Sequence, residues 1–477
     1  MKRAEKIPHR LIRLGLMAAI SVSTLPLWSQ ADNPSASPVP ATIGLDHSSA
    51  PAESNNEGQV PDNRMLIPPP VSGLPFPNVL SSEERFNYLR YGISFTTAYT
   101  DNALGPLLGH PVSDLSYSVA PMVMLDESTA QAHWLLTYAP GFTFYQKTSS
   151  LNEADQNAAI TFQYRFTPHV TLNAHDGFQK SSNVFNEPDL GSEGTVLGGT
   201  QAPNLSILSP IADRLSNAGN ADITYQFGPN SMIGAGGTFF NLHYPNPSQV
   251  PGLYDAESQA GSAFYTYRIG NNYLGATYQY QRLISFPTTG TSETQTHAAL
   301  AFFSFYPASK LSFSVYAGPQ YASTVQPPLT TSEPAPPELR TWSPAEGASV
   351  NWQGRLSSFA VAYSHLITGG GGLIGAVRMN SATAMLRQQI TRALSASLNG
   401  GYAQNDILGA SELAGYSGHS IFGTVTVQQQ IGLHLTAQLG YTRLHQDYNN
   451  VAVISSTPDT NREFVSLSYQ FSRPLGR

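Results

Sequence analysis

The stretch "REFVSLSYQFSRPLGR", Arg462–Arg477, decides the architecture. From Glu463 to Phe471 it alternates: Val465, Leu467, Tyr469 and Phe471 fall on one side, and Phe464, Ser466, Ser468 and Gln470 on the other. Successive side chains of a strand point to opposite faces, so this is a strand with one apolar and one mostly polar face. The same period runs through much of the chain. "AAITFQYRF" sets Ile160, Phe162, Tyr164 and Phe166 against Thr161, Gln163 and Arg165. "ADITYQF" sets Ile223, Tyr225 and Phe227 against Asp222, Thr224 and Gln226. "LHLTAQLGYT" sets Leu433, Leu435, Ala437, Leu439 and Tyr441 against His434, Thr436, Gln438 and Thr442. Each run is on the order of ten residues, the length of a tilted transmembrane strand.

Composition agrees. Only 12% of the 477 residues are charged, against ~25% in an ordinary soluble domain. Aromatics reach 10%, with 24 Tyr and 22 Phe, while mean hydropathy is an unremarkable -0.19. Such a chain suits surfaces that alternate apolar and neutral-polar residues. The absence of cysteine excludes a disulfide framework, a thiolate metal site and an acylated N-terminal Cys. A net charge of -7 argues against a nucleic-acid partner.

The N-terminus has the layout of a secretory signal peptide: Lys2, Arg3, Lys6, Arg10 and Arg13, an apolar run Leu14–Trp28, then small residues Ser29–Ala31. Residues 32–84 are rich in Pro and Ser and poor in large apolar residues, which predicts a disordered linker. Residues 85–477 carry the alternation. An exported chain with no further apolar run long enough for a helix can span a membrane only as a closed barrel.

Connections alternate in length. Short ones such as "TPH", "GPNS", "GNN" and "QGR" are separated by long polar segments near 101–112, 148–156, 183–217, 245–256, 324–345, 404–418 and 446–461. Short turns on one side and long loops on the other mark a transmembrane barrel. The expected fold is therefore an all-β, antiparallel up-and-down transmembrane barrel of about eighteen strands (sixteen to eighteen), with periplasmic N- and C-termini. Pro121, Pro140 and Pro319 predict bulges or strand ends, and the parity change in "GAGGTFFNLHY" predicts another bulge.

The closing strand resembles that of bacterial outer-membrane β-barrels of the porin-like kind, whose last strand typically ends in an aromatic residue. The matching residues are Tyr469 and Phe471, and "SRPLGR" after them departs from the pattern. The style of residues 89–471 is similar to loosely defined porin-like barrels, some of which accompany polysaccharide-export genes. That resemblance implies an assembly signal at Tyr469 and Phe471 read by the barrel-assembly machinery. It also implies contact with outer-membrane lipid and lipopolysaccharide.

Chemistry is sparse. "GGGGLIG" contains GxGxxG at Gly370, Gly372 and Gly375, but no helix pattern follows and an outer loop is the simpler reading. The chain has no HExxH, GxSxG or P-loop motif, and no cofactor or metal site is expected. The leading function is passive diffusion of small hydrophilic solutes through a water-filled pore. Two alternatives stay open. One is a barrel serving exopolysaccharide export, its linker touching periplasmic partners. The other is a barrel-type lipid or lipopolysaccharide hydrolase, for which His434 near Ser397 is an example pair.

By parity, Arg165, Arg268, Arg387 and Asp222 project into the lumen. The acids Asp101, Glu153, Asp155, Glu187, Asp189, Glu193, Asp447 and Asp459 suit a solvated rim able to bridge lipopolysaccharide through divalent ions. "LSILSPIADRLSN" reads as a helix within the longest loop, with Ser209 as cap, Pro210 at the first turn, and Leu208, Ala212 and Leu215 on one stripe. In the porins that the chain resembles, the loop at this place narrows the pore. Glu187, Asp189, Glu193, Asp213 and Arg214 are thus constriction candidates, and a helix capping the outer rim is the alternative.

Alternation makes a direct prediction in this cysteine-free chain. Single cysteines at Thr436 and Gln438 should react with a small water-soluble maleimide, and those at Leu435 and Leu439 should resist it. Equal labelling of both pairs would mean a sheet wet on both faces.

Overall fold

The computed structural model describes residues 87–103, 111–182, 212–249, 252–288, 290–308, 310–328, 334–372, 374–408, 417–449 and 459–475. Each alternating stretch is extended. In chain order they are β1 (Tyr88–Thr100), β2 (Asp114–Ser128), β3 (Ala132–Tyr138), β4 (Gly141–Tyr145), β5 (Glu153–Thr167) and β6 (Val170–Ser181). There follow β7 (Arg214–Gly228), β8 (Ser231–His243), β9 (Ala256–Ile269), β10 (Asn272–Ser285), β11 (Ser292–Ala308) and β12 (Leu311–Val325). The last are β13 (Leu339–Gln353), β14 (Ser357–Gly370), β15 (Ile374–Gln389), β16 (Leu394–Ile407), β17 (Ser417–Ile431), β18 (Leu435–Tyr448) and β19 (Asp459–Pro474).

All neighbouring pairs are antiparallel. β3 and β4 are halves of one wall strand, since both pair with β2 and with β5, and the break falls at Ala139-Pro140. The wall therefore has eighteen strands. It closes where β1 meets β19 in continuous register from Tyr88↔Pro474 to Thr100↔Arg462.

Tight connections at 129–131, 168–169, 229–230, 270–271, 309–310, 354–356, 390–393 and 432–434 form one rim. Gly432 turns there with φ of 72°, which a side chain would resist. Both ends of the wall sit at this same rim. Asn87 accepts the Ser128 N–H on its side chain at 2.7 Å and the Leu475 N–H on its carbonyl at 2.8 Å.

The two faces differ as the alternation requires. Val465, Leu467 and Tyr469 are 56%, 43% and 48% exposed on the outside, whereas Phe464 and Ser466 are 1% and 5% exposed within. Across the wall the outer face carries large apolar side chains, among them Phe95, Tyr117, Ile223, Tyr265, Leu274 and Val425. Small polar residues such as Ser94, Thr96, Thr266, Thr294 and Thr424 face inward, several bridging strands through paired hydroxyls. This is a transmembrane β-barrel: lipid meets the apolar face, and the ladder satisfies the backbone.

Inward aromatics follow a second rule. Phe264, Phe302, Tyr316, Tyr448 and Phe464 each sit directly opposite a glycine of the next strand, respectively Gly234, Gly275, Gly347, Gly418 and Gly440. At every one of these glycines a Cβ would meet the ring at 2.1–2.4 Å. The ring lies over the glycine, along the wall.

Several expectations are corrected. Apart from the split strand, the strands run for 12–17 residues rather than ten, extending past the apolar band. Of the three prolines, only Pro140 separates two strand segments. Pro121 lies within continuous β2 but faces that break, and Pro319 lies within β12, where pairing with β11 skips from Ala298↔Gln320 to Ala301↔Ala317. β8 has no bulge at "GAGG"; its register with β7 is continuous from Leu215↔His243 to Gln226↔Met232. The apparent change of parity arises because inward glycines there make room for neighbouring side chains. Residues 214–217, read as helix, belong to β7, laddered to β6 from Ser181↔Arg214 to Phe178↔Asn217. Phe471 does not end its strand, which runs on to Pro474.

Gly440→Ala forces the Phe464 ring from its seat and should cost about 1–3 kcal/mol of barrel stability, an overpacking penalty. Gly423→Ala, where a Cβ meets nothing within 4 Å, should be near neutral. Urea midpoints of the two variants in lipid or detergent test this; equal midpoints would contradict the seated ring.

Candidate functional site

Register brings charged side chains together at the rim opposite the tight turns. Asp155 is next but one to Asn157, which opposes Gln179 on β6, and Ser181 opposes Arg214 on β7. Asp155, Ser181 and Arg214 thus stand side by side on the inner wall, with Tyr244 immediately beyond the end of β8. Ser181 hydrogen-bonds the Asp155 carboxylate. Arg214 donates to the Tyr244 hydroxyl, which itself donates to the Gly371 carbonyl at 2.7 Å. Glu153 lies within electrostatic reach of both Arg214 and Arg462, the latter arriving from β19 near Tyr145.

These groups are buried: Asp155 4%, Arg214 3%, Arg462 2% and Tyr244 1% exposed. The two buried cations share this low-dielectric region with Asp155, and the half-buried Glu153 acts on both of them. The Tyr244 phenol, beyond the strand, is pushed above its ordinary pKa by burial and stays a neutral donor.

A bridge across the mouth continues from Tyr244. The Tyr254 N–H donates to the Gly372 carbonyl at 2.9 Å. Asp255 pins the base of this connection, accepting the Tyr244 N–H at 2.9 Å and meeting His243 Nδ1 at 2.6 Å. The β8–β9 and β14–β15 connections belong to strands far apart around the wall, so their contact crosses the lumen.

Midway down, Gln163 donates to Asn173 and Asn173 donates to Asp222, each at 3.0 Å, forming a polar row across β5, β6 and β7. Of the residues singled out in the sequence, Asp222 sits in this row and Arg214 in the mouth cluster. Arg165, Arg268 and Arg387 face inward near the tight-turn rim; Arg268 Nε donates to Asn230 at 3.2 Å. The structure does not bring those three arginines together with Asp222 or Arg214. Asp213 accepts from Ser182 at 2.5 Å. Glu187, Asp189 and Glu193 lie outside the described residues, as does the constriction reading of residues 183–211. Tyr469 and Phe471 hold outward positions on β19, the Phe471 ring 5.2 Å from Tyr91 across the seam.

Glu153 and Asp155 stand at the loop-side rim but not in a solvated loop. They belong to β5, and Asp155 faces the lumen. Arg462, Tyr145 and Tyr244 were not singled out at all; inward parity at strand ends is the signal that could have found them. Ser397 and His434 do not meet: Ser397 bonds Thr426 at 2.5 Å, and His434 donates to the Gln470 carbonyl at 2.9 Å. Among the described residues no group of His, Cys, Asp and Glu could hold a metal.

The chain matches no known family profile and no curated protein sequence. Solved structures similar to it include Pseudomonas aeruginosa OccK2 (OpdF), 9% identical with a TM-score of 0.41 over 80% of this chain and 98% of that one. Acinetobacter baumannii OccAB1 is 13% identical with a TM-score of 0.42, over 80% and 96%. The outer membrane protein OpdK from Pseudomonas aeruginosa is 10% identical with a TM-score of 0.40, over 81% and 99%. The barrel assignment rests on the closed ladder and the outward apolar face, not on these similarities.

Arg214→Met removes a buried cation within electrostatic reach of Asp155 and Glu153. It should lower the unfolding free energy by about 1–3 kcal/mol, the cost of leaving buried polar groups without a partner. Adding Asp155→Asn should recover part of that loss. A double variant no better than the single one would show that the two charges are not coupled.

Proposed function

We propose that this barrel lies in the outer membrane of a Gram-negative cell and passes small hydrophilic solutes by passive diffusion. The observation that carries this reading is the wall itself: eighteen strands closed on themselves, apolar outside and lined within by hydroxyls, amides and charges. A wall of that size leaves room for an aqueous channel. Solutes enter past the Arg214–Asp155–Tyr244 mouth and leave through the tight-turn rim.

The signal-peptide layout of residues 1–31 supports export, and tight turns at the terminal rim support placing that rim in the periplasm. The long connections then face the cell exterior. There Arg282 pairs with Glu293 at 2.7 Å, and Arg340, two residues from the exposed Trp342, pairs with Glu338 at 2.9 Å, a rim suited to lipopolysaccharide headgroups. Barrel-assembly machinery reads β19 through Tyr469 and Phe471.

Reconstituted in a planar lipid bilayer, purified protein should give discrete, ohmic unitary currents in simple salt. Folded, heat-modifiable protein that inserts and stays silent would contradict the pore reading.

A further inference from the structure

The run Gly369–Gly372 ends β14 and turns toward β15 where the mouth is bridged. One apolar cluster shows how it gets there. Leu283, Ala322, Ile367, Ala376 and Leu408 pack together, all buried. Leu283 shares the inward parity of Thr277, and Ala322 that of Ser314. Ile367, by contrast, shares the outward parity of Val361 and Tyr363, and Ala376 that of Leu386. Side chains spread from β10 to β16 can converge only inside the circumference. The upper ends of β14 and β15 therefore tip into the lumen, so that their former outer face rests on the inner face of β10 and β12.

The end leaves the wall where the β13–β14 ladder stops, at Glu346↔His365, and its tip is built of glycine. The β14–β15 register shifts between Gly369 and Gly370, and Gly371 and Gly372 follow with φ of 71° and 83°. Glycine alone adopts that geometry without strain. At Gly372 a Cβ would lie 2.5 Å from the Tyr244 ring and 2.6 Å from the Tyr254 carbonyl oxygen, so only a hydrogen fits beneath the tyrosine. Tyr244 Oη and Tyr254 N then hold the carbonyls of Gly371 and Gly372. Among the described residues these two hydrogen bonds, the Leu408 N–H to the Ala376 carbonyl at 2.9 Å and one small apolar cluster hold the tipped end, against a whole ladder that keeps the wall closed. A segment held so lightly opens locally at far lower cost than the barrel unfolds.

We propose that the end of β14 beyond His365, with the start of β15, is a gate at the loop-side mouth, that Gly369–Gly372 is its tip and that the Tyr244 hydroxyl is its latch. With the latch made, the bent end covers Leu283 and narrows the path. With it released, the end swings up to continue the wall. Arg214, which donates to the same hydroxyl, links the gate to the charged cluster that a solute passes. This inference rests on the pore reading, and the test below separates the two.

Tyr244→Phe removes one oxygen and keeps the ring, and Gly372→Ala pushes the ring away. Each is placed in a background carrying Leu283→Cys, the only thiol in the chain. With the latch intact the thiol is covered and reacts slowly with a water-soluble maleimide. Both variants should raise the labelling rate, Tyr244→Phe about fivefold, the population shift that one net hydrogen bond carries. In bilayers the same variants should spend more time at the larger conductance level. Unchanged labelling in both folded variants overturns the gate, whatever the currents do. Faster labelling in a protein that never conducts keeps the gate and removes the pore reading.

Discussion

Everything in this molecule depends on the pairing of its first strand with its last. In hydrocarbon an unpaired backbone N–H or C=O has no water to turn to, and each costs several kcal/mol. An open sheet would expose a row of such groups along both edges. The seam from Tyr88↔Pro474 to Thr100↔Arg462 removes both edges at once. It also explains why β19 continues past Phe471: residues Ser472–Pro474 are needed to match Tyr88–Arg90.

Once the ladder is closed, the side chains have a simple division of labour. Outside, Phe, Tyr, Leu and Val meet lipid. Inside, small hydroxyl residues leave space, and large rings are accommodated where a facing glycine lets them lie along the wall, as Phe464 does over Gly440. The charged cluster at Arg214 and Arg462 and the bent end at Gly369–Gly372 stand apart from that division. Both are local departures from a uniform wall, and both lie at the rim opposite the tight turns.

How much of this was legible in the sequence follows from the range of each interaction. Facing is local: Val465 and Ser466 differ because neighbours on one strand point opposite ways, so alternation alone predicts it. Turn positions were legible for the same reason, since short polar or glycine-containing links join neighbouring antiparallel strands. Register between strands is not local. That Arg214 stands opposite Ser181, next to Asp155, depends on where three strands start, and starting β5 late at Ala158 left Asp155 in a loop. "GGGG" could be recognised as a turn, but nothing nearby in sequence signals Tyr244, more than a hundred residues upstream. The proline expectation holds for the ladder rather than for the strand: β2 and β12 run on through Pro121 and Pro319, while pairing lapses beside each on one side.

The seam is the claim to test most directly. Cysteines at Thr97 and Val465, Cα partners across β1 and β19 on the outer face, should be joined efficiently by a short bismaleimide in the native membrane-inserted protein. The product would be a chain closed into a large ring, with altered mobility after denaturation. The out-of-register pair Thr97→Cys with Phe471→Cys should join poorly. Equal yields from both pairs, or none from the first, would mean that the barrel is not closed in this register.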